Sequence, residues 1–479
     1  MKNLIALFIG TLVIFSITSC SDDECDLICP QGTVLSLDCE CVTTDPCVGV
    51  TCPAGQVLTV DCNCVDDNSG TIEIVTVSGS ISEDAIWTSD KVYELANKVV
   101  VDNGATLTIE AGTIIKGREG TGSLATALII ARGSKIEACG TATDPIIFTS
   151  TLDNIKPGEI TGSNLSETNN ELWGGLIILG YAPISAKDGD TETQIEGIPA
   201  DDTFGLYGGS DANDNSGSLC YVSIRHGGAL IGSDNEINGL TLGGVGNGTT
   251  IHHVEVVANL DDGIECFGGT VDLNDVIVTY QGDDAIDLDM NYSGTIDNFL
   301  IIHGGDDTDE ALEIDGPEGS THTDGLFTLI NGTCIALDQQ KTTAADLKSK
   351  AQGYLQNISW KGYDALVKIR TSFSTDSGCN EKADAYTNLK AQNLIISNSE
   401  IVGSNIILDE FAFPYIDSKA SNADMQLECL NNVRAEYEME IDNMIMENGN
   451  TISPSISRGA DINVFRDWTW TDNKGLLNI

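Results

Sequence analysis

Short runs of alternating apolar and polar residues recur along this chain from residue 71 onward, separated by glycine, asparagine and aspartate. When apolar residues recur at every second position, one side of each run faces a core, as in a β-strand. The residues between runs then mark the corners of the chain. Three runs, 99–101, 105–109 and 113–117, make one predicted coil, and 127–130, 134–137 and 145–150 make the next. The pattern therefore predicts many short strands.

A five-residue phrase recurs three times in the middle of the chain: two acids, a small residue, an aliphatic residue and another acid. The copies begin at Asp261, 22 residues later at Asp283, and 26 residues later at Asp309. Self-similarity at this period is typical of a solenoid, in which each repeat is one coil. A β-sandwich also fits short strands but leaves the period unexplained. We predict an all-β fold, a right-handed parallel β-helix (solenoid) preceded by two small disulfide-rich modules.

Stacked coils would bring the repeated acids into a ladder with a rise of about 4.8 Å. Two carboxylates at that distance repel each other by roughly 3 to 4 kcal/mol at an effective dielectric constant near 20. Calcium relieves such repulsion because it binds about six to eight oxygen ligands. The alternative is that these side chains only cap turns. The predicted calcium ligands are Asp261, Asp262, Glu265, Asp283, Asp284, Asp287, Asp289, Asn291, Asp309 and Glu313.

The negative charge of the chain is concentrated around this repeat. The formal net charge is −50, and the stretch from Asp188 to Asp338 holds 30 acidic residues and one basic residue, Arg225. This charge argues against nucleic acid and anionic lipid as partners. So local an imbalance indicates either a solvated acidic face or a surface that binds divalent cations.

The second copy of the phrase also permits an enzymatic interpretation, with Asp283, Asp284 and Asp287 as catalytic residues. Residues 282–286 resemble the Gly-Asp-Asp-Cys-Ile stretch of polygalacturonase-type β-helix hydrolases, and paired carboxylates are what acid–base cleavage of a glycosidic bond needs. The Gly-His-Gly and Arg-x-Lys elements of that family are absent downstream. Polysaccharide lyases generally use a Lys or Arg base, and basic residues are scarce in this stretch. We therefore predict binding rather than catalysis.

The first 24 residues have the pattern of an exported lipoprotein. A basic start precedes an apolar run, residues 4–17, that is too short to span a bilayer. Residues 17–20 resemble a bacterial lipobox, which implies a signal peptide over residues 1–19 and a lipid such as palmitate on Cys20. Residues 21–24, Ser-Asp-Asp-Glu, resemble the acidic export signal of Bacteroidetes lipoproteins. The resemblance implies a lipid-anchored protein of the cell outer membrane that faces the medium.

Residues 25–67 hold two copies of a cysteine-rich unit, which we interpret as a stalk, and residues 68–75 follow as a linker. Each copy has about 20 residues, too few to bury a core, and disulfides replace a core in an oxidising compartment. Zinc is the alternative for this spacing, but neither copy has a histidine. The expected disulfide cysteines, with their pairing left open, are Cys25, Cys29, Cys39, Cys41, Cys47, Cys52, Cys62 and Cys64.

Four smaller expectations concern the β-helical region. Cys379 and Cys429 are expected to pair across two long loops. His252 and His253 fall in one predicted strand, so their side chains should face opposite sides. Residues 342–355 have the composition of a short helix. Reduced cysteines in or near the core are expected at Cys139, Cys220, Cys266 and Cys334.

Several stretches resemble a family of Bacteroidetes cell-surface β-helix lipoproteins that is itself largely uncharacterised. They are residues 105–117, 173–180, 194–197, 221–228 and 261–269. The resemblance covers most of the predicted β-helix domain with loop insertions, residues 76–479, and implies a fold and a cell-surface location but no activity. We expect binding of a polysaccharide or a surface protein, in adhesion or capture, with a glycoside hydrolase as the alternative.

Overall fold

The chain divides into two compact units, Met1–Thr71 and Ile72–Ile479. The computed structural model describes residues 33–35, 41–43, 50–52, 56–58, 64–66 and 72–479, without residues 197, 199–201, 232–235, 305–307, 338–342, 364, 375–377, 404–410 and 421. The predicted signal peptide and Cys20 lie outside these residues.

Each cysteine-rich copy in the first unit contains one antiparallel hairpin. In the first copy β1 (Thr33–Leu35) pairs with β2 (Cys41–Thr43), and in the second β3 (Gln56–Leu58) pairs with β4 (Cys64–Asp66). A disulfide joins Cys52 to Cys64, which confirms that these cysteines form bridges. The pairing of the other predicted cysteines lies outside the described residues.

The second unit is built almost entirely from short strands. Its helices are α1 (Ala385–Lys390), α2 (Ala423–Glu447) and α3 (Trp470–Asn473), with 3-10 turns at Gly122–Leu124, Thr203–Gly205 and Ile462–Phe465. The strands are β5 (Glu73–Ile81), β6 (Ala85–Trp87), β7 (Lys91–Val101), β8 (Thr106–Ile109), β9 (Ile114–Gly117), β10 (Ala127–Ile130), β11 (Lys135–Cys139), β12 (Ile146–Ser150), β13 (Leu176–Leu179), β14 (Glu192–Gln194), β15 (Leu206–Gly208), β16 (Gly217–Arg225), β17 (Leu240–Gly243), β18 (Thr250–Val257), β19 (Ile264–Phe267), β20 (Leu273–Thr279), β21 (Ile286–Asp289), β22 (Thr295–His303), β23 (Leu312–Asp315), β24 (Phe327–Ala336), β25 (Thr343–Lys348), β26 (Gly353–Lys361), β27 (Ala365–Arg370), β28 (Ser372–Ser374), β29 (Asn380–Lys382), β30 (Leu394–Ser397), β31 (Glu400–Val402), β32 (Ala412–Tyr415) and β33 (Thr451–Ser453).

Twenty-five strands of the described residues form one continuous sheet, and strands of successive coils pair in parallel. The sheet has three faces. Face 1 includes β10, β13, β17, β19, β21, β23, β25, β27 and β32. Long strands such as β18, β20 and β22 bend once and belong to face 2 before the bend and to face 3 after it. The prediction of a parallel β-helix is confirmed.

The bend between faces 2 and 3 is made by residues with positive φ that occupy equivalent positions in successive coils. His253 (φ +54°), Asp275 (φ +55°) and Asn298 (φ +59°) are three of them. Asn298 Nδ2 donates to Asp275 Oδ1 at 2.6 Å, so the side chains also bond from coil to coil. The bend breaks the strand alternation, and His252 Nδ1 lies 3.0 Å from His253 Nδ1. The prediction that these histidines face opposite sides was wrong.

The core consists of aliphatic side chains stacked in register. On face 1 the stack runs through Leu176, Leu240, Ile264, Ile286 and Leu312, all fully buried. Burial of each such side chain contributes about 1.5 to 3 kcal/mol. A coil therefore needs aliphatic residues at alternate positions, which is the pattern that predicted the strands.

Helix α2 closes the C-terminal end of this core, and the sequence reasoning missed it. Its Ile441 and Ile445 are fully buried and join the main core. The predicted disulfide between Cys379 and Cys429 is confirmed and ties α2 to the loop after β28. Residues 342–355 are not the predicted helix, because residues Thr343–Lys348 form β25 and continue face 1.

The other four cysteines of the β-helix differ in their bonding. Cys266 and Cys334 are reduced and buried, as predicted. Cys139 and Cys220 instead form a disulfide, because β11 and β16 hold them directly opposite each other. That prediction was wrong, since their sequence separation of 81 conceals their adjacency.

Residues 460–479 run back along face 3 and pack on its outward side chains. Phe465, Trp468 and Leu477 cover Ile277 and Leu300. The buried carboxylate of Glu255 accepts hydrogen bonds from the backbone of Trp470 and Thr471 at 2.9 Å. The tryptophans at 468 and 470 therefore pack against the coils and are not exposed for stacking on sugars.

Candidate cation-binding groove

The alternation of face 1 creates the acidic surface. In β19, β21 and β23 the first and third residues point into the core and the second and fourth point outward. Glu265, Asp287 and Glu313 therefore stack directly above one another, and Asp346 and Lys368 continue the column on β25 and β27. Each phrase of the sequence repeat contributes one rung.

The second acid of each phrase begins a second ladder in the turn before the strand. Asp262 Oδ1 accepts from the backbone nitrogen of Asp284 at 2.9 Å, and Asp284 Oδ1 accepts from that of Glu310 at 2.6 Å. Asn238 Oδ1 starts the series by accepting from Asp262 at 3.2 Å. One oxygen of each aspartate thus caps a turn, as the alternative interpretation proposed. The second oxygen is left for the groove.

The two ladders meet in four overlapping groups of carboxylates whose oxygens lie within 4.8 Å of one another. Asp287 belongs to three of the groups and is only 7% exposed, and its Oδ1 has no hydrogen-bond partner among the described residues. An unpartnered buried carboxylate oxygen is costly unless a cation or a proton meets it. The groups are Asp261, Asp262 and Asp283; Asp262, Glu265 and Asp287; Asp284, Asp287 and Glu313; and Asp287, Asp289 and Asp315.

Burial and mutual repulsion both favour the protonated forms of these acids. Burial raises the pKa of Asp287 well above its ordinary value, and Asp289 raises it further. Burial also raises the pKa of Glu265, with Asp287 as the neighbouring charge of largest effect, and the pKa of Asp284, with Asp262 in that role. Burial and nearby acids raise the pKa of Asp261 to about 7 and that of Asp283, at the exposed rim, to about 6. The groove therefore holds more charge than its surroundings stabilise.

The upper part of the groove, which we call the acidic pocket, has a volume of about 490 Å³. The insertion between β13 and β16 packs on outward side chains of face 1 beside it; Tyr207 of that insertion contacts Phe267 at a ring distance of 6.0 Å. Among the described residues, Lys419 is its one cationic lining residue. The lining residues are Glu196, Glu236, Asp261, Asp262, Glu265, Asp283, Asp284, Asp287, Glu313 and Lys419.

The lower part, the mixed pocket, has a volume of about 530 Å³ and shares Asp283, Asp284, Glu313 and Lys419 with the acidic pocket. Three further basic residues enter it from β25 and β27. Lys348 Nζ lies 2.7 Å from Glu313 and 3.1 Å from Asp315. The basic residues are Lys348, Lys368 and Arg370.

The other two basic side chains of the mixed pocket also neutralise acids. Arg370 forms a two-point ion pair with Asp346, which is 1% exposed. Its Nε lies 2.8 Å from Oδ1 and its Nη2 lies 2.6 Å from Oδ2. Lys368 binds Glu310 and lies 3.7 Å from Asp346. Burial and the Asp309 side chain raise the pKa of Glu310 to about 8, against the opposing effect of Lys368. Basic residues are therefore scarce near the repeat in the sequence, but basic residues from later coils line the groove.

Residues 79–426 match the model of a family described as the pectate-lyase-like beta helix domain. The chain belongs to this family. No curated protein and no solved structure gives a significant match. The matched part of this pectate-lyase-like β-helix contains both pockets of the groove. No helix among the described residues is long and apolar enough to cross a membrane.

The β-helix brings most, but not all, of the predicted ligands together. Asp309 lines only the mixed pocket. Asn291 lies elsewhere: its Nδ2 donates to the carbonyl of His322 at 2.7 Å and its Oδ1 accepts from Gln352. The groove residues that the sequence reasoning missed are Glu196, Glu236, Glu310, Asp315, Asp346, Lys348, Lys368, Arg370 and Lys419.

A signal for some of these missed residues was present in the sequence. The stretches 346–348 and 368–370 repeat the alternation of the acidic phrases, with charged residues at the outward positions. The signal was hidden because one interval is longer and lysine replaces acid. Glu196 and Glu236 lie in turns without a repeat and carried no such signal.

Proposed function

We propose that this pectate-lyase-like β-helix protein binds polysaccharide along the groove of face 1 and that calcium occupies the acidic pocket. The observation that carries the proposal is Asp287, a buried carboxylate shared by three carboxylate groups with one oxygen unpartnered. Repulsion among so many acids must be relieved by protons or by a cation.

The donor set favours calcium over transition metals. All donors in the four groups are carboxylates, without histidine or cysteine. Hard oxygen ligands suit calcium and magnesium, and the larger calcium tolerates irregular sets with more ligands. The free oxygens of Asp262 and Asp284 would complete the shell around Asp287.

The groove is also suited to an extended polar ligand. Its two pockets adjoin along the coil axis and are lined mainly by polar and charged side chains. Tyr415 supplies an aromatic ring at the lower end, where Arg370 stacks over it at 4.8 Å. Solenoid flanks offer extended binding surfaces of this kind, and the family's description points to polysaccharide. Lipidation at Cys20 would hold the protein at the outer membrane, where it captures such ligands.

A glycoside hydrolase is the second candidate, and the protonation of the groove favours it. A carboxyl that keeps its proton near neutral pH serves as a general acid beside an ionised partner. Burial and like charges give Asp283 a pKa of about 6, next to Asp284 and Asp287. The basic side chains of the mixed pocket also remove one argument against an enzyme.

Calcium titration calorimetry on protein freed of metal by chelation tests the proposal. We expect binding by the wild type, at least tenfold weaker binding by Asp287→Asn, and unchanged binding by Glu436→Gln, which removes one exposed acid of α2. Absence of calcium binding, or equal binding by Asp287→Asn, would contradict the calcium site.

The same preparations, incubated with a panel of neutral and charged glycans with and without calcium, separate capture from cleavage. Retention of a glycan without new reducing ends supports binding. Release of reducing ends that Asp284→Asn abolishes supports the hydrolase. If no glycan is either retained or cleaved, polysaccharide is not the ligand.

A further inference from the structure

We infer that the acidic pocket accepts the protonated amines of an amino-sugar polysaccharide. This inference rests on the polysaccharide-binding part of the proposed function and names the class of ligand. It does not require the calcium part, since an ammonium group and calcium would occupy the same carboxylates.

The protein itself shows how an ammonium group is held by this array. Lys348 Nζ sits between the carboxylates of Glu313 and Asp315, at 2.7 and 3.1 Å. Lys368 Nζ sits in the same way between Glu310 and Asp346. Lys348 bridges two acids of β23, Lys368 bridges acids of two different coils, and both amines line the mixed pocket. Burial opposes the charge of Lys348, but Asp315 and Glu313 outweigh it and raise the pKa of this amine.

The acidic pocket continues the same array without Lys348 and Lys368; among the described residues, Lys419 is its one cationic lining residue. Glu265 and Asp287 stand directly above Glu313 in one column. Asp287 Oδ1 has no partner although Asp287 is more than nine-tenths buried and its carboxylate faces the pocket. An ammonium group arriving from solution would meet groups of three carboxylates whose oxygens lie within 4.8 Å of one another.

An amine fits this arrangement better than the other groups of a polysaccharide. An ammonium group has three donors and no acceptor, so three carboxylates can each take one hydrogen bond. A hydroxyl or an acetamido group carries no charge and leaves the repulsion in place. A carboxylate or sulfate group of the ligand would increase that repulsion. The charge of the pocket therefore selects amino sugars over their N-acetylated forms.

Matched oligosaccharides test the inference on the full-length protein at neutral pH. Hexamers of glucosamine and of N-acetylglucosamine are titrated into metal-free wild type, Asp287→Asn and Glu436→Gln. We expect the glucosamine hexamer to bind at least tenfold more tightly than the acetylated hexamer. Asp287→Asn should lose most of this preference, and the exposed-site control Glu436→Gln should keep it. Added calcium should weaken the binding of the glucosamine hexamer, because both would occupy the same carboxylates.

A second variant controls for non-specific electrostatic attraction between a cationic ligand and an acidic protein. Lys348→Met removes the amine of the mixed pocket and should increase the affinity for the glucosamine hexamer. The increase should exceed that in Lys390→Met, which loses one positive charge elsewhere. Equal binding of the two hexamers by the wild type would overturn the inference. So would equal effects of Asp287→Asn and Glu436→Gln.

The two proposals fail separately. Calcium binding that is lost in Asp287→Asn, together with no preference between hexamers, overturns the amine inference and leaves the calcium site standing. A preference for the glucosamine hexamer without any calcium binding overturns the calcium site and supports the amine. Binding of neither hexamer, while another glycan is retained, overturns the inference alone.

Discussion

The acidic pocket and the mixed pocket are two parts of one array on face 1, yet they differ in the source of their counter-charge. In the mixed pocket Lys348, Lys368 and Arg370 neutralise the acids of the neighbouring strands. In the acidic pocket Glu265 and Asp287 occupy the same column, and no basic side chain in the described part of the chain forms an ion pair with either. The comparison shows that the solenoid can neutralise a carboxylate ladder from within and does so over only part of its length.

The difference follows from which residue stands at each outward position. Successive rungs of one column carry Glu265, Asp287, Glu313, Asp346 and Lys368. Lys348 and Arg370 pair with acids one coil away, and Lys368 reaches Glu310 two coils away. Among the described residues, Glu265 and Asp287 form no ion pair with a basic side chain, and we propose that an external cation neutralises them. Four variants or conditions test this comparison, and they follow from the largest expected effect to the smallest.

Removing the guanidinium of Arg370 should have the largest effect. Arg370→Leu leaves the buried Asp346 with only Lys368, 3.7 Å away, as a counter-charge, which costs about 3 to 5 kcal/mol of the free energy of unfolding. Chemical denaturation measures it. Lys390→Met, which breaks an exposed pair with Glu381, should cost less than about 1 kcal/mol. Similar losses in the two variants would show that the mixed pocket does not depend on internal neutralisation.

Removing the lysine at the boundary should make the mixed pocket resemble the acidic one. Lys348→Met leaves Glu313 and Asp315 unneutralised, and we expect a loss of about 2 to 3 kcal/mol in metal-free protein. Calcium should restore part of the loss, because an external cation takes the place of the amine. Thermal unfolding with and without calcium measures both quantities. A loss that calcium leaves unchanged would contradict the comparison.

Metal-free protein should lose stability as the pH rises. Burial and neighbouring acids raise the pKa of Asp261 to about 7 and, together with Asp309, that of Glu310 to about 8. Acids with raised folded pKa values bind more protons in the folded state, so their contribution to stability is fully present below about pH 4 and is lost as the pH rises to about 8. We expect about 2 kcal/mol after solvent screening. Melting temperatures of the metal-free protein should fall across this pH range, and calcium should reduce that dependence on pH. A melting temperature that rises with pH would contradict the prediction.

Neutralising one acid should have the smallest effect, and its sign should depend on calcium. Asp287→Asn removes a buried charge that repels its neighbours, so it should stabilise metal-free protein by about 1 kcal/mol. In calcium the same variant should be less stable than the wild type, because a ligand is lost. Melting temperatures of both proteins in chelator and in calcium test this reversal. Destabilisation by the same amount in both conditions would mean that Asp287 has only a structural role.

Local patterns were enough to predict the coils. Alternation within a short run, with turn residues between runs, depends on residues close in sequence, so β10 was predicted at its observed bounds and β11 and β12 within two residues of theirs. The same patterns failed at His253, where a positive φ reverses the alternation. They also failed over residues 342–355, where a helix-like composition belongs to a buried strand.

The sequence by itself determined that this chain forms a β-helix and that its middle coils present stacked acids. Both properties follow from the period of the repeat and from alternation, which act within one coil. Only the tertiary structure decided which acids have partners. Lys348 reaches Asp315, Arg370 reaches Asp346 and Cys139 reaches Cys220 because stacking brings positions 24 to 81 residues apart into contact. A column of side chains on neighbouring coils is therefore adjacent in space and scattered in sequence, and the charge balance of the groove was visible only after the coils were stacked.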